Sequence, residues 1–300
     1  MTSQKHHPKT QPLLTRTRNL LRRSGLRARK ELAQHFLVDE EVLKLVVSTA
    51  RLTPADIVIE VGPGLGVLSA ELARQAGRVL AIELDNKLAA ILQQTLASFD
   101  NVTIINQDVL KIDPATLLRE QKVKIPLETD AGYKVVANLP YYITSPVLRH
   151  FLEASLKPQT MVVMVQKEVA ESIAAAPGQM SLLSVSVQFY GRPTIVSQVP
   201  AGSFYPPPEV DSAILKIDVY SQSPVPVTDL KSFFDLVRAG FTASRKQIVN
   251  SLARGLQLPK SAVLPLLEES GIAPQRRAET LTLEEWAHLW QVFTGKGESG

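Results

Sequence analysis

Cysteine is absent from the 300-residue sequence, and so is any acidic residue among its first 30 positions. Without cysteine, a disulfide framework, a catalytic thiol, a Cys-ligated zinc ion and an iron–sulfur cluster are all excluded. No apolar run reaches the ~18 residues that a membrane span needs, and the N-terminus lacks the apolar core of a secretory signal. We therefore expect a cytoplasmic protein with no membrane partner.

The missing acids leave the N-terminus strongly basic. The first 30 residues contain nine Lys or Arg, whereas the other 270 contain 24 basic and 29 acidic residues. Such a segment favours phosphate backbones, from which counterions are released on binding. A solvated tail and an amphipathic targeting peptide are the alternatives. Because Pro8 and Pro12 disfavour one regular helix, residues 1–26 are predicted to form a flexible basic arm.

The composition, 45% apolar and 21% charged, is that of a globular protein with one large or two smaller domains. Short apolar runs rich in β-branched residues predict strands over 57–61, 79–82, 102–105, 133–137, 161–165 and 213–217. Helices are predicted over 37–47 (with Asp39 as the N-cap), 67–76, 87–96 and 145–156. Strands that alternate with helices predict an α/β fold with a doubly wound, mostly parallel sheet.

A Pro/Ser-rich stretch over residues 221–226 marks the end of this alternating pattern. Beyond it the periodicity is purely helical, with helices predicted over 230–241, 246–255, 260–270 and 283–293. We therefore expect an α/β domain over residues 27–220 and a smaller all-helical domain over residues 221–300.

Chemistry-bearing residues follow three of the predicted strands, where an α/β sheet binds its ligands. Gly62, Gly64 and Gly66 let backbone N–H groups approach a ligand at a helix N-terminus. Glu83 can accept hydrogen bonds from ribose hydroxyls, and Asp108 from an adenine amino group. A glycine turn that only packs, a solvated acid and a helix N-cap are the respective alternatives. The G-x-G-x-G spacing differs from the G-x-G-x-x-G of dinucleotide folds, which disfavours a nicotinamide oxidoreductase.

The tetrapeptide after the fourth strand is the most informative segment of the chain. Asn138 and the backbone carbonyl of Leu139 can both accept a hydrogen bond from an exocyclic amine. Pro140 has no N–H, and Tyr141 offers a ring on which a flipped base can stack. The segment predicts a site for a planar amino group on a heterocycle; a strand-to-turn segment with a packing tyrosine is the alternative.

Together these motifs resemble those of the ribosomal RNA adenine N6-dimethyltransferases, a family of class I S-adenosylmethionine-dependent methyltransferases with a Rossmann-like fold. The resemblance extends from about Arg27 to about Phe293 and is closest to the small-subunit (16S) branch. Large-subunit antibiotic-resistance relatives usually have Ile where this chain has Leu139. The matching segments are residues 34–37, 60–66, 82–85, 107–108, 138–141, 165–169, 204–212 and 241–252.

The resemblance also implies roles for individual residues. Cofactor contacts are implied for His35, Leu37, Gly62, Glu83, Asp108 and Asn138. Contacts with the target base are implied for Asn138, Leu139, Pro140, Tyr141 and Phe204. For Phe204, a core residue before a proline turn is the alternative. His35 departs from the family, which commonly has Asn there, and Ala33 stands where Gly is usual. The helical domain over residues 221–300 and the basic arm are expected to bind the surrounding RNA. Arg245, Lys246, Arg276 and Arg277 are candidates for RNA phosphates or for a solvated helix face.

The resemblance implies that the protein dimethylates N6 of two adjacent adenosines in the 3′-terminal hairpin loop of small-subunit rRNA during late subunit assembly. S-adenosylmethionine would be the methyl donor, with no metal, and the enzyme is expected to act as a monomer. The sulfonium already activates the methyl group, so the protein has mainly to orient N6. A large-subunit rRNA methyltransferase of antibiotic-resistance type, a non-catalytic assembly factor, and a methyltransferase acting on DNA or protein glutamine are the alternatives.

Overall fold

A seven-stranded sheet forms the centre of the computed structural model, which describes residues 11–25, 34–121 and 132–295. Its strand order is β4-β3-β2-β5-β6-β9-β7, and a separate two-stranded sheet joins β1 to β8. In chain order the strands are β1 (Phe36–Leu37), β2 (Ile57–Val61), β3 (Arg78–Ile82), β4 (Val102–Ile105), β5 (Tyr133–Asn138), β6 (Thr160–Gln166), β7 (Gly191–Val199), β8 (Phe204–Tyr205) and β9 (Ser212–Val219). The first five strands in this spatial order, from β4 to β6, pair in parallel, while β9 pairs antiparallel with β6 and β7. This confirms the predicted α/β, mostly parallel architecture.

Twelve α-helices surround the sheet or follow it within the described residues. They are α1 (Leu13–Arg23), α2 (Glu40–Ala50), α3 (Val67–Ala73), α4 (Asn86–Thr95), α5 (Pro114–Glu120), α6 (Thr144–Leu152), α7 (Lys167–Ile173), α8 (Leu182–Gln188), α9 (Leu230–Phe241), α10 (Ile248–Leu256), α11 (Lys260–Glu269) and α12 (Leu283–Gly295). In the described part of the chain, no helix is both long and apolar enough to cross a membrane.

The central strands of the sheet are buried on both faces because they carry apolar residues at successive positions. In β2, Ile57, Ile59 and Val61 belong to one hydrophobic cluster and Val58 to another, as expected when alternate side chains point to opposite faces. The first cluster continues without interruption into the C-terminal helices, where Phe189 packs on Phe233 with ring centroids 5.2 Å apart. The predicted boundary at residue 221 therefore separates two patterns of secondary structure that share one core.

Helix α2 shows how the sequence sets a boundary. Asp39 is its N-cap, as predicted, and its side chain accepts hydrogen bonds from the backbone N–H groups of Glu41 and Val42. The predicted start at residue 37 is wrong, because Leu37 lies in β1 and pairs with Phe204. Ser203 also donates its hydroxyl to Asp39, at 2.9 Å, so the cap is connected to the same distant segment.

The prediction of a flexible arm is wrong for residues 13–23, which form α1. Leu13, Thr17 and Leu21 are buried on one face of this helix, and their i, i+4 spacing brings them into line. Pro12 lies just before the helix and leaves it uninterrupted. The rest of the predicted arm, residues 1–10 and 26, lies outside the described residues.

Candidate active site

A cavity of about 670 Å³ opens at the carboxyl ends of β2, β3 and β5. Nine of the ten predicted site residues line it: His35, Leu37, Gly62, Glu83, Asp108, Asn138, Leu139, Pro140 and Tyr141. They come from separate segments of the chain, which meet because neighbouring parallel strands end at the same edge of the sheet.

The glycine loop forms one wall of this cavity. Gly62 and Gly64 have φ angles of 66° and 59°, in the left-handed region that favours glycine. A Cβ atom on Gly64 would lie 3.2 Å from two ring carbons of Phe36. The glycines are therefore required for the turn itself, and they also bring its backbone to the cavity surface.

Glu83 is buried at the end of β3, which rules out the alternative of a solvated acid. Its Oε2 accepts from the Gly64 N–H at 3.2 Å and its Oε1 from the Asp85 N–H at 2.9 Å. Burial raises the pKa of Glu83, and these N–H donors oppose that shift. A carboxylate has about four acceptor positions, so each oxygen can still accept a hydroxyl hydrogen from a ribose.

Asp108 is both a helix N-cap and a cavity residue, the two roles that the sequence left open for it. Its carboxylate accepts from the Leu110 N–H at 3.1 Å and caps a short 3₁₀ turn over Val109–Lys111. It also lines the cavity. The capping contact fixes the side chain at the cavity wall, where the carboxylate can accept further hydrogen bonds.

Asn138 has a defined amide orientation at the end of β5. Its Nδ2 donates to the backbone carbonyl of His35 at 3.0 Å. Because a carbonyl oxygen only accepts, the amide nitrogen must face His35, and Oδ1 remains as the acceptor for a ligand. The two carbonyls that follow differ in their partners. The Pro140 carbonyl accepts from the Ile143 N–H, whereas no described residue donates to the Leu139 carbonyl.

Tyr141 is half-buried and held at two points. Its hydroxyl lies 2.7 Å from Oγ of the buried Ser212, and the His35 ring stacks on it with a centroid distance of 5.9 Å and an angle of 26°. Burial raises the pKa of Tyr141, so the ring stays neutral at physiological pH. A neutral aromatic ring fixed in this way is suited to stacking with a base.

Comparison with known proteins assigns nearly the whole chain to one family. Residues 25–294 match the family described as ribosomal RNA adenine dimethylase. The chain belongs to this family. A Dehalococcoides mccartyi protein named ribosomal RNA small subunit methyltransferase A is 51% identical over 95% of both chains. A protein of the same name from Moorella thermoacetica is 44% identical over 91% of this chain and 95% of its own.

Two solved structures share the architecture. The 23S rRNA methyltransferase ErmE superimposes with a TM-score of 0.66 and 28% identity, over 86% of this chain and 99% of ErmE. A dimethyladenosine transferase from Plasmodium falciparum gives a TM-score of 0.71 at 24% identity, over 88% and 98% of the two chains. The second likeness shows the fold alone.

Phe204 is the one predicted site residue that lies outside the cavity. Its side chain is 3% exposed and packs in the core beside α2, paired through β8 with Leu37. It does not line the cavity. In this structure Phe204 is a core residue, and a contact between its ring and the target base remains a prediction.

Glu60 is a cavity residue that the sequence analysis missed. It is 1% exposed at the end of β2, and burial raises its pKa to about 8, with the nearby hydroxyl of Ser69 opposing the shift. Neither Glu60 Oε2 nor Ser69 Oγ has a hydrogen bond of acceptable geometry to a described residue. A charged residue inside an apolar strand was the available signal, because such a group is rarely buried without a partner.

The candidate RNA-binding cations fall into two classes in this dimethylase. Arg276 donates to both carboxylate oxygens of Glu285 and to Thr280, so it fastens the start of α12 and is not free for RNA. Arg245 and Lys246 are exposed in the turn between α9 and α10, and Arg277 is exposed with Glu279 at 3.5 Å. Only the second class is suited to phosphate contacts.

Proposed function

We propose that this protein uses S-adenosylmethionine to dimethylate N6 of two adjacent adenosines in the 3′-terminal hairpin loop of small-subunit rRNA. It acts in the cytoplasm as a monomer, on a late assembly particle. The observation that carries the proposal is the orientation of Asn138, whose Nδ2 is bonded to the His35 carbonyl and whose Oδ1 is left to accept from an exocyclic amine.

The cavity residues fit the proposed methyl donor. Glu83 offers acceptors for ribose hydroxyls and Asp108 an acceptor for an adenine amino group. S-adenosylmethionine, when bound, supplies a methyl group already activated by the sulfonium, and the volume of about 670 Å³ lies within the range usual for such ligands.

The protein's part in the reaction is to prepare the nucleophile. N6 of adenine is a weak nucleophile because its lone pair is delocalised into the ring. Asn138 Oδ1 and the Leu139 carbonyl would accept the two N6 hydrogens, which would favour a more tetrahedral nitrogen with an available lone pair. The first transfer would form the N–C bond and break the S–C bond, leaving the neutral thioether, and the methylated nitrogen would then lose one proton to water. One N–H remains, so one acceptor can still orient the monomethylated amine for the second transfer.

The target base must be unstacked to reach these acceptors, which suits an RNA loop. Tyr141 provides the stacking surface at the cavity mouth. Arg245, Lys246 and the exposed arginines of α1 supply cations for the surrounding phosphates.

Methyl transfer from labelled S-adenosylmethionine to unmethylated small and large ribosomal subunits tests this proposal, with the products read as nucleosides by mass spectrometry. We expect N6,N6-dimethyladenosine in small-subunit RNA only. Label in large-subunit RNA would indicate the activity named for ErmE, although the 51% identity to a small-subunit methyltransferase exceeds the 28% identity to ErmE. Tight subunit binding without label would indicate an assembly factor.

A further inference from the structure

His35 joins three segments of the site through three different contacts. Its ring Nδ1 lies 2.8 Å from the carbonyl oxygen of Pro206. Its own backbone carbonyl accepts from Asn138 Nδ2 at 3.0 Å. Its ring stacks on Tyr141 at 5.9 Å and 26°. One residue therefore touches both parts of the machinery that is to hold the target adenine.

The hydrogen bond to Pro206 fixes the plane of the His35 ring. Because the carbonyl only accepts, Nδ1 must carry the proton and donate it. The segment that provides the carbonyl is itself held, since β1 pairs with β8 through Phe36 opposite Tyr205, and the Val38 N–H donates to Ser203 at 2.9 Å. The ring is thus clamped against a fixed partner.

Tyr141 depends on this clamp for its own orientation. Its hydroxyl is tied to Ser212 at 2.7 Å, which restrains one end of the ring but leaves rotation about the axis through that end. The His35 ring covers one face and removes that freedom. The opposite face then remains for a base.

We propose that His35 is a positioning residue: its ring sets the plane of Tyr141, and the bond from the ring to Pro206 holds in place the backbone carbonyl to which Asn138 donates. The inference rests on the proposed function of the site. It differs from the role that the family resemblance implies for this position, a contact with the cofactor. The Asn that is common there could donate to the Pro206 carbonyl, but it has no ring to stack on Tyr141.

The first test separates turnover from cofactor affinity. His35→Ala is expected to lower kcat about tenfold, as losing a ring stack and a hydrogen bond would predict, while the calorimetric Kd for S-adenosylmethionine changes less than threefold. His35→Asn should recover part of kcat, because it restores the donor. A large rise in the cofactor Kd with kcat unchanged would overturn the inference and make His35 a cofactor ligand.

The second test asks whether His35 acts through the tyrosine ring. In a Tyr141→Phe background, which keeps the ring, His35→Ala should again lower kcat. In a Tyr141→Ala background it should lower kcat by less than His35→Ala alone does, since only the effect on Asn138 remains. An equal effect of His35→Ala in both backgrounds would overturn the inference.

His150 provides the matched control for loss of folding. Its Nε2 lies 2.9 Å from the Ile112 carbonyl, and its ring packs edge-on against Phe151 at 5.3 Å, outside the cavity lining. His150→Ala should lower the thermal midpoint without changing kcat. If the wild-type protein transfers no methyl group to small-subunit rRNA, the proposed function fails. If the wild-type protein is active and His35→Ala has the same kcat, only the inference about His35 fails.

Discussion

At the scale of single residues, the hydrogen bond of Asn138 decides what the site can do. With Nδ2 bonded to the His35 carbonyl, Oδ1 is a fixed acceptor, and catalysis relies on such fixed groups because they need no reorganisation during the reaction. Asn138→Ala is therefore expected to lower kcat at least ~100-fold, the range for removing one oriented electrostatic group. Single-turnover methylation of small-subunit particles measures this, with the cofactor Kd weakening much less.

A second asparagine gives the control for this prediction. Asn101 donates its Nδ2 to the carbonyls of Ala73 and Ala76, at 2.8 and 2.9 Å, away from the cavity. Asn101→Ala should destabilise the fold and leave kcat intact. Near-normal turnover of Asn138→Ala would refute the role assigned to its side chain.

The buried carboxyl of Glu60 gives a prediction on pH. Its pKa of about 8 in the fold lies above the ordinary value for glutamate of about 4.3 in an unfolded chain. The folded state therefore favours the protonated form, so its contribution is full below pH 4 and is lost as the pH rises towards 8. Glu60→Gln removes this loss: its stability relative to wild type should increase by more than about 1 kcal/mol between pH 5 and pH 8.

Ligand-free protein melted across this pH range provides the measurement. Glu120→Gln, an exposed position on α5, is the control and should follow wild type at every pH. A Glu60→Gln curve parallel to wild type would mean that this carboxyl is as easily ionised in the fold as in water.

At the scale of elements, short-range patterns could be predicted and long-range pairings could not. The parallel strands and the cap of α2 follow from local runs of residues, so the convergence of Gly62, Glu83, Asp108 and Asn138 was predictable. The pairing of β1 with β8 joins two-residue strands about 170 positions apart, and neither is long enough to show periodicity. The hydrogen bond between Asn138 and His35 depends on that pairing, which explains why only the structure reveals it.

Other elements were missed as well, and β7 and α1 show local reasons for it. In β7 the exposed positions alternate with partly buried ones and Pro193 lies within the strand, a pattern found at sheet edges. In α1 the buried face includes the polar Thr17 between Leu13 and Leu21. The apolar periodicity that predicts an amphipathic helix is therefore weak in this arginine-rich segment. The spacing of the two leucines was the available signal.

Lys134 connects β5 to the end of α2 and to the turn that follows. Its Nζ donates to the carbonyls of Ala50 and Arg51 and to Asp56, at 3.0 to 3.2 Å, and both charged side chains are largely buried. Removing one partner of a buried pair leaves the other uncompensated. Lys134→Met should therefore lower the free energy of unfolding by about 3 kcal/mol with kcat unchanged.

Chemical denaturation measures the free energy of unfolding of this variant and of Lys260→Met, the control. Lys260 is exposed at the start of α11 and its loss should have little effect. If the two variants were equally stable, the contacts of Lys134 would contribute nothing to holding α2 against the sheet.

At the scale of the whole molecule, the helical C-terminal region and the sheet share one hydrophobic cluster. Phe189 and Tyr190 pack on Phe234, and the same cluster continues to Trp290 in α12. A C-terminal fragment would expose this apolar surface, so RNA binding by that region has to be tested in the full chain. The exposed turn at Arg245 and Lys246 is then held in a fixed relation to the cavity.

Helix α1 combines packing with positive charge, and a test of its RNA contacts has to separate the two. One face of α1 packs against the cavity wall, with Leu21 in a cluster with Phe36 and Leu65, and Arg18 lies 4.9 Å from the Tyr205 ring centroid. Deleting the segment would remove packing and charge together. Replacing Arg16, Arg22 and Arg23 with Gln leaves the apolar face in place, because all three are exposed.

If these arginines contact RNA phosphates, each neutralised contact adds roughly 0.7–0.9 to the slope of log K against log salt. The triple Gln variant should therefore bind small-subunit rRNA more weakly and show a slope smaller by up to about 2.5. Filter binding at a series of KCl concentrations gives the slope. Arg276→Ala, which breaks the ion pair with Glu285, should lose stability but keep the wild-type slope. An unchanged slope in the triple variant would restrict α1 to supporting the cavity wall.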